Sequence, residues 1–379
     1  MSGPRRERLV SLDAFRGLTV AGMLLVNDPG SWSAIYPPLR HAAWHGWTPT
    51  DLVFPFFLFI TGITCHLSLD GRPAALPKLL RRVAILFLLG LVLNGFPFYP
   101  PAERLLSLRI PGVLQRIALC TLAGGLLTLY GGRRSQIAML VGLLLGYWAL
   151  LMAMPVPGSG ATGLAAIAEP PGSLAAWLDR ALFDWDGWGH HLWGQSRSWD
   201  PEGALSTLPA IGTLILGLLA GRWMRAEPRL PRRILGLAIA GAAAVLLGLV
   251  WDVWFPINKN LWTSSYVLFT GGLAALLLAG FMALIDLRRS LWWTPPLLAF
   301  GINPILAYFG SEIMAIVIYE MITLPYEGRQ VALQEWFYDT TLASWLPDRL
   351  ASLAFALLFV ALWYLILRQF QRRGVVLKV

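Results

Sequence analysis

The stretch that decides how this chain folds runs from residue 40 to residue 62 and reads RHAAWHGWTPTDLVFPFFLFITG. From Leu52 onward it is uncharged and almost wholly apolar, which is the start of a membrane span. Just before that span stand His41, His45 and Asp51, interleaved with Trp44 and Trp47, in a chain with only 5 histidines. A histidine beside a carboxylate at a bilayer edge can take up and release protons near neutral pH. The same residues also suit an interfacial aromatic belt.

Working outward, the apolar run repeats along the whole chain. A soluble domain carries about 25% charged residues, whereas these 379 residues are 13% charged and 56% hydrophobic, with a mean hydropathy of +0.61. Ten segments near the ~20-residue length that crosses a bilayer lie close to 10–27, 51–69, 79–96, 111–130, 136–154, 206–221, 234–254, 261–282, 296–318 and 350–367. None alternates in the manner of a barrel strand, so the buried backbone has to be satisfied within helices. The expected fold is all-α, a polytopic transmembrane helix bundle of about ten spans forming a single domain over 1–379.

The net charge of +9 could suggest a nucleic-acid partner, but the distribution of the charges argues for a topology signal. About two thirds of the 30 basic residues fall in the tails and alternate short loops, including Arg5, Arg6, Arg8, Lys78, Arg81, Arg82, Arg133, Arg134, Arg222, Arg225, Arg288, Arg289, Arg372 and Lys378. Acidic residues favour the other side. By the positive-inside rule both termini are cytoplasmic, with external loops near 28–50, 155–205 and 319–349. The start, MSGPRRERLVSLDAF, does not read as a cleavable signal peptide, and the expected location is the cytoplasmic (inner) membrane. The partner is then a lipid bilayer and not nucleic acid. Cys65 and Cys120 fall in spans, which argues against a disulfide framework.

Ionisable groups inside spans are costly and mark candidate sites. Asp13 and Arg16 share a helix face, either as a neutralised pair or as a polar wall from which Arg16 reaches a phosphate or carboxylate. Arg116 and Gln115 follow Arg109 and Pro111, and Glu312 is a further buried charge. Asn27 and Asn303 each offer a donor and an acceptor. No third ligand stands at helical spacing from His41 and His45, and the adjacent His190 and His191 make a poor chelate, so no metal is expected. A Walker-type loop and a GxSxG elbow are both missing. The tryptophan-rich stretch DWDGWGHHLWGQSRSWDPEG, 184–203, reads as an interfacial anchor or as a lid whose Trp185, Trp188, Trp193 and Trp199 stack on sugar rings.

Several unusual blocks occur in one order: SLDAFRG (11–17), VND (26–28), HAAWHGWTPTDLVFPFFLFITG (41–62), RIPGVLQRI (109–117), DPEGALSTLPAI (200–211), INKNLWTSSYVLFTGG (257–272) and GINPILAYFGSEI (301–313). With these, nearly the whole chain resembles the heparan-alpha-glucosaminide N-acetyltransferase family, including its bacterial members. The resemblance implies a membrane-embedded enzyme that takes the acetyl group of cytosolic acetyl-CoA, a co-substrate, to the amine of a glucosamine-type sugar on the opposite face. It assigns the active-site histidine to His41 rather than His45, its partner asparagine to Asn27 and the aspartate of the DLVFP block to Asp51.

Amine attack on a thioester needs a base, which His41 can supply with Asp51 orienting it. The oxyanion needs donors, for which the Asn27 amide is the candidate. Asp13, Arg16, Arg109, Arg116, Lys259, Asn260 and Asn303 are the candidates to line the donor's passage and bind it. His41 could instead carry the acetyl group itself. Alternatives are an O-acetyltransferase of envelope polysaccharide, or a small-sugar transporter using Asp13, Arg16 and Glu312. A homodimer is left open, with Gly212 and Gly217 as small residues able to support helix contacts.

Overall fold

A computed structural model describes residues 9–184 and 191–377. The helices in chain order are α1 (Val10–Asn27), α2 (Val53–Leu69), α3 (Leu76–Gly95), α4 (Pro101–Leu106), α5 (Val113–Tyr130), α6 (Arg133–Ala153), α7 (Gly163–Ala166) and α8 (Leu174–Phe183). They continue with α9 (Ala204–Ala226), α10 (Leu230–Asp252), α11 (Ser264–Phe281), α12 (Thr294–Ile302), α13 (Pro304–Ile316), α14 (Leu333–Phe337) and α15 (Asp348–Arg372). Among the described residues nine helical segments are long and apolar enough to cross a membrane. The tenth expected span, near 79–96, is α3 itself, a 20-residue helix whose first turns carry Lys78, Arg81 and Arg82 and so dilute its apolar run.

Two details depart from a plain row of spans. The segment near 296–318 is interrupted at Asn303, which leaves the helical region at φ −123° and ψ 56°, and Pro304 then opens α13; proline cannot donate to the preceding turn. The stretch 319–349 includes an antiparallel hairpin of β1 (Thr323–Tyr326) and β2 (Arg329–Ala332), turned through Glu327 and Gly328, both at positive φ.

The chain divides into two compact units, Met1–Leu39 with Glu227–Ala240 and Ala275–Lys378, and Arg40–Ala226 with Gly241–Ala274. In the first, α1 packs on α12 at backbone distance. A Cβ on Gly17 would lie 1.7 Å from the Leu297 carbonyl oxygen, and one on Gly301 would lie 2.0 Å from that of Asp13. In the second, α2 and α9 approach as closely, since a Cβ on Gly62 would lie 2.0 Å from the Leu214 oxygen and one on Gly217 2.0 Å from the Phe59 oxygen. Gly217, read from sequence as a helix-contact residue, is thus used within the chain.

The long 155–205 segment is built into the second unit. Val156, Ala166, Ile167, Leu174, Ala175 and Leu205 form one buried cluster with Tyr147, Leu151, Phe255 and Leu261. α8 is capped by Ser173, whose hydroxyl accepts from the Ala176 N–H at 3.1 Å.

The Gly62 contact is with backbone, which cannot rotate away, so Gly62→Ala should destabilise the protein by about 1–3 kcal/mol, the usual cost of overpacking. A thermal unfolding scan in detergent is expected to show a lowered midpoint. Gly280→Ala, where no atom lies within 4 Å of the added carbon, should leave the midpoint unchanged or raise it.

Candidate active site

The entrance to α2 organises the second unit's site. Thr48, Pro49 and Thr50 lead into a short 3-10 turn, Pro49–Leu52, which places Asp51 under the loop that carries His41. Asp51 is 1% exposed, and its carboxylate is fully engaged. Oδ1 lies 2.6 Å from His41 Nδ1, and Oδ2 accepts from the Ala42 N–H at 3.1 Å, the Thr48 N–H at 2.9 Å and the Thr48 hydroxyl at 3.2 Å. The Asp51 carbonyl accepts from the buried Tyr266 hydroxyl on α11. A carboxylate held in this way fixes the imidazole with its proton on Nδ1 and leaves Nε2 as the basic nitrogen. The His41 side chain is 43% exposed, so substrate can reach it.

Lys259 approaches the same ring. Its Nζ lies 3.1 Å from Nδ1 and 3.2 Å from Nε2 of His41, and 3.8 Å from Asp51 Oδ1. With Nδ1–H directed at Asp51, the nitrogen able to accept from Lys259 is Nε2. Burial pulls the Lys259 ammonium below its ordinary range, against the opposing pull of Asp51 and Glu202. The Lys259 loop is held by Asn258, whose Nδ2 donates to the Trp44 carbonyl at 3.0 Å and whose Oδ1 accepts from the Leu261 N–H at 2.8 Å. Asn260 occupies the turn that follows.

Arg109 and Arg116, both read from sequence as donor-binding cations, are used differently. Arg109 forks onto Asp200, with Nε to Oδ2 at 2.8 Å and Nη2 to Oδ1 at 2.6 Å, and Nη2 also reaches Glu202 at 2.7 Å. Burial alone would lower the Arg109 guanidinium, but the paired carboxylates reverse that and hold it above its ordinary value. Arg116 is 1% exposed and stacks over Trp262 at 5.1 Å. Its Nη2 donates to Ser206 Oγ at 2.5 Å and the Gly203 carbonyl at 3.2 Å, whereas Nε and Nη1 are buried with no hydrogen-bond partner among the described residues. Of these two cations, Arg116 keeps donors available for a ligand.

The first unit holds the remaining predicted residues. Arg16 pairs with Asp13 at 2.9 Å and also donates to the Gly301 carbonyl at 3.1 Å. Asn27 donates through Nδ2 to Glu312 Oε1 at 3.1 Å. Asn303 is fully buried and uses both sides of its amide on the C-terminal tail, donating to the Val375 carbonyl at 3.1 Å and accepting from the Leu377 N–H at 2.9 Å. It therefore acts as a tail clamp at the helix break.

Sequence reasoning missed Asp200, Glu202, Asn258 and Tyr266 as partners. The signal was present in the DPEG and INKN blocks, but the pairs lie far apart in the chain. Trp199 packs edge-on against Trp44 at 5.6 Å and against Trp193 at 5.2 Å. His191 is buried and bonded through Nδ1 to the Leu108 carbonyl at 2.8 Å. Trp185, Trp188 and His190 lie outside the described residues.

Fold and site together define a multi-pass helical membrane protein with a carboxylate-oriented histidine at a helix mouth. The heparan-alpha-glucosaminide N-acetyltransferase catalytic family matches residues 8–176, which include Asn27, His41, Asp51, Arg109 and Arg116. The chain is 30% identical over 354 residues to the heparan-alpha-glucosaminide N-acetyltransferase of Homo sapiens, covering 81% of this chain and 53% of that protein. For the Mus musculus protein of the same name the figures are 30% over 356 residues, 81% and 54%. The chain is similar to this family over residues 8–176 and spans about half the length of the curated relatives it matches.

One buried carboxyl near the site gives a pH signature. Burial pushes Asp179 up to about 7, although its Oδ1 accepts from the Ala204 N–H at 2.8 Å. Between pH 3.8 and about 7 the folded state binds the extra proton, so stability falls as pH rises through that window and is level above it. Asp179→Asn keeps the acceptor and removes the titration. Its thermal midpoint in detergent should fall less than the wild type's between pH 5 and pH 8.

Proposed function

We propose that this protein is an acetyl-CoA-dependent N-acetyltransferase that carries an acetyl group across the membrane to the amine of a glucosamine-type sugar. The observation that carries the reading is the 2.6 Å contact of His41 with a buried, fully engaged Asp51, inside the segment that matches the catalytic family. An amine arriving as ammonium must lose a proton before it can attack the thioester carbonyl. His41 Nε2 takes that proton while Asp51 holds Nδ1–H and stabilises the imidazolium that forms. The C–N bond forms, the C–S bond breaks, and the CoA thiolate leaves. For Nε2 to act, Lys259 has to withdraw from it or give up its own proton, and burial favours the neutral amine.

A cytosolic donor and an acceptor on the opposite face suit the dimensions. At 1.5 Å per residue, α2 spans about 25 Å from the His41–Asp51 end to Asp70. Around Asp70 stand Arg225, at 3.2 Å, and Arg222, at 3.8 Å, and Arg222 Nε donates to Gln136 Oε1 at 3.2 Å. Phosphates of CoA placed at this basic end would leave the pantetheine arm to reach along the helix. Arg116 Nε and Nη1 offer donors further along. The excess of basic residues in the loops at this end supports a cytoplasmic side for it, and the reading has His41 at the external side of a cytoplasmic membrane.

Purified protein incubated with labelled acetyl-CoA and glucosamine should yield N-acetylglucosamine, whereas sugars bearing only hydroxyls should not react. Acetylation of the hydroxyl sugars alone would replace this reading with O-acetyl transfer. His41→Ala should lower turnover by about 10²–10⁴-fold, the usual contribution of a positioned base, and Asp51→Asn should lower it by a smaller factor. No acetyl-His41 should accumulate with acetyl-CoA alone; its isolation by mass spectrometry would make His41 the carrier.

A further inference from the structure

Acetyl transfer to a sugar gives no part to one group beside His41, and that group is itself an amine. Lys259 Nζ lies 3.1 Å from Nδ1 and 3.2 Å from Nε2 of His41, and both residues belong to the second unit. A sugar amine that gives its proton to Nε2 has to come within hydrogen-bond reach of that nitrogen, which is where Nζ stands. The backbone on both sides fixes it there. Asn258 is fully buried and donates through its N–H to the Thr263 hydroxyl at 3.0 Å, while the Lys259 carbonyl accepts from the Trp262 N–H at 3.1 Å. The Lys259 side chain is 20% exposed and that of His41 43%, so a thioester brought to His41 also meets Nζ. The residue type matters too. Only three of the 30 basic residues are lysines, Lys78, Lys259 and Lys378, whereas Arg109 and Arg116 serve where a fixed charge is needed. A guanidinium keeps its proton, but a buried lysine can give its proton up and is then a nucleophile. Burial draws Lys259 in that direction, and the charges of Asp51 and Glu202 oppose it.

We propose that Lys259 is a self-acetylation site: with acetyl-CoA bound and no sugar acceptor present, its amine takes the acetyl group and His41 takes the proton. Nζ attacks the thioester carbonyl carbon, the C–N bond forms, the C–S bond breaks, and its electron pair leaves with the CoA sulfur. The ammonium gives up two protons on becoming an amide. Nε2 receives them in turn and passes one to the CoA thiolate and the other to water. A tethered amine has no translational freedom to lose on reaching the base, so it reacts when the acceptor's place is empty. The product carries no charge and no basic nitrogen, and it fills the space beside Nε2 that a sugar amine has to enter. Acetylated protein is therefore inactive, and sugar and lysine compete for the same acetyl group. The proposal rests on the acetyl-transfer reading of the site, and the sugar is the part of that reading it does not need.

The test uses the full-length protein in detergent, deuterium-labelled acetyl-CoA and mass spectrometry of the digested chain. Without sugar, Lys259 should gain an acetyl group ahead of Lys78 and Lys378. The activity left, measured afterwards with glucosamine, should fall in proportion to the modified fraction. Glucosamine present during the preincubation should protect Lys259, whereas glucose should not. His41→Ala should slow the modification by about tenfold or more, as for any step that uses a positioned base, and His41→Gln replaces it if it does not fold. Lys259→Arg should lose no activity during the preincubation relative to its own starting rate; if it is inactive or unfolded, the mapping in the wild type decides. Acetylation as fast at Lys78 or in the His41 variant, or an unmodified Lys259 in protein that acetylates glucosamine, would overturn the self-acetylation and leave the sugar reaction standing. His41-dependent acetylation of Lys259 in protein that acetylates no sugar amine would keep the lysine site and overturn the sugar acceptor. Protein that acetylates neither overturns both.

Discussion

Asp51 is the residue on which the candidate site depends mechanically. A buried carboxylate is expensive unless it is surrounded by donors, and here they come from the loop and turn that lead into α2. The loop before α2 contributes His41 and the Ala42 N–H, the helix start contributes Thr48, and α11 sends the Tyr266 hydroxyl to the Asp51 backbone carbonyl. Satisfying the charge therefore also holds an exposed loop against the mouth of a span. The imidazole is held in one tautomer with its outer nitrogen left basic and facing Lys259, because no other arrangement leaves the carboxylate fully bonded.

The same requirement runs through the rest of the second unit. Arg109 bridges Asp200 and Glu202, and Glu202 in turn acts on Lys259. Lys259 thus sits between two carboxylates and next to the histidine. Arg116 lies deeper, stacked on Trp262 and only half satisfied.

Close helix packing makes this economy of charge feasible. Where Gly62 meets Leu214 and Gly217 meets Phe59, backbones touch. Helices at that distance leave little room for water, so polar groups between them must find one another. The long 155–205 segment contributes too: its apolar residues pack on α6, and Trp44 of the His41 loop donates to the Ile167 carbonyl at 2.8 Å. What reads as a loose external loop is part of the support for the site.

From sequence, the helical class and nearly all the spans were legible, because length and hydropathy suffice when the solvent is lipid. So was the meeting of His41 with Asp51, ten residues apart in one recognisable block. The break at Asn303 escaped notice because an asparagine before proline inside an apolar run looks like any other polar residue in a span. The partners of Lys259, Arg109 and Asn27 could not be read either: each lies on another element, at chain separations of 218, 91 and 285. Composition and local pattern determine what a segment becomes in a membrane. Which buried charges meet, and which are left wanting a partner, is decided only by how those segments pack, because electrostatic compensation acts through space and not along the chain.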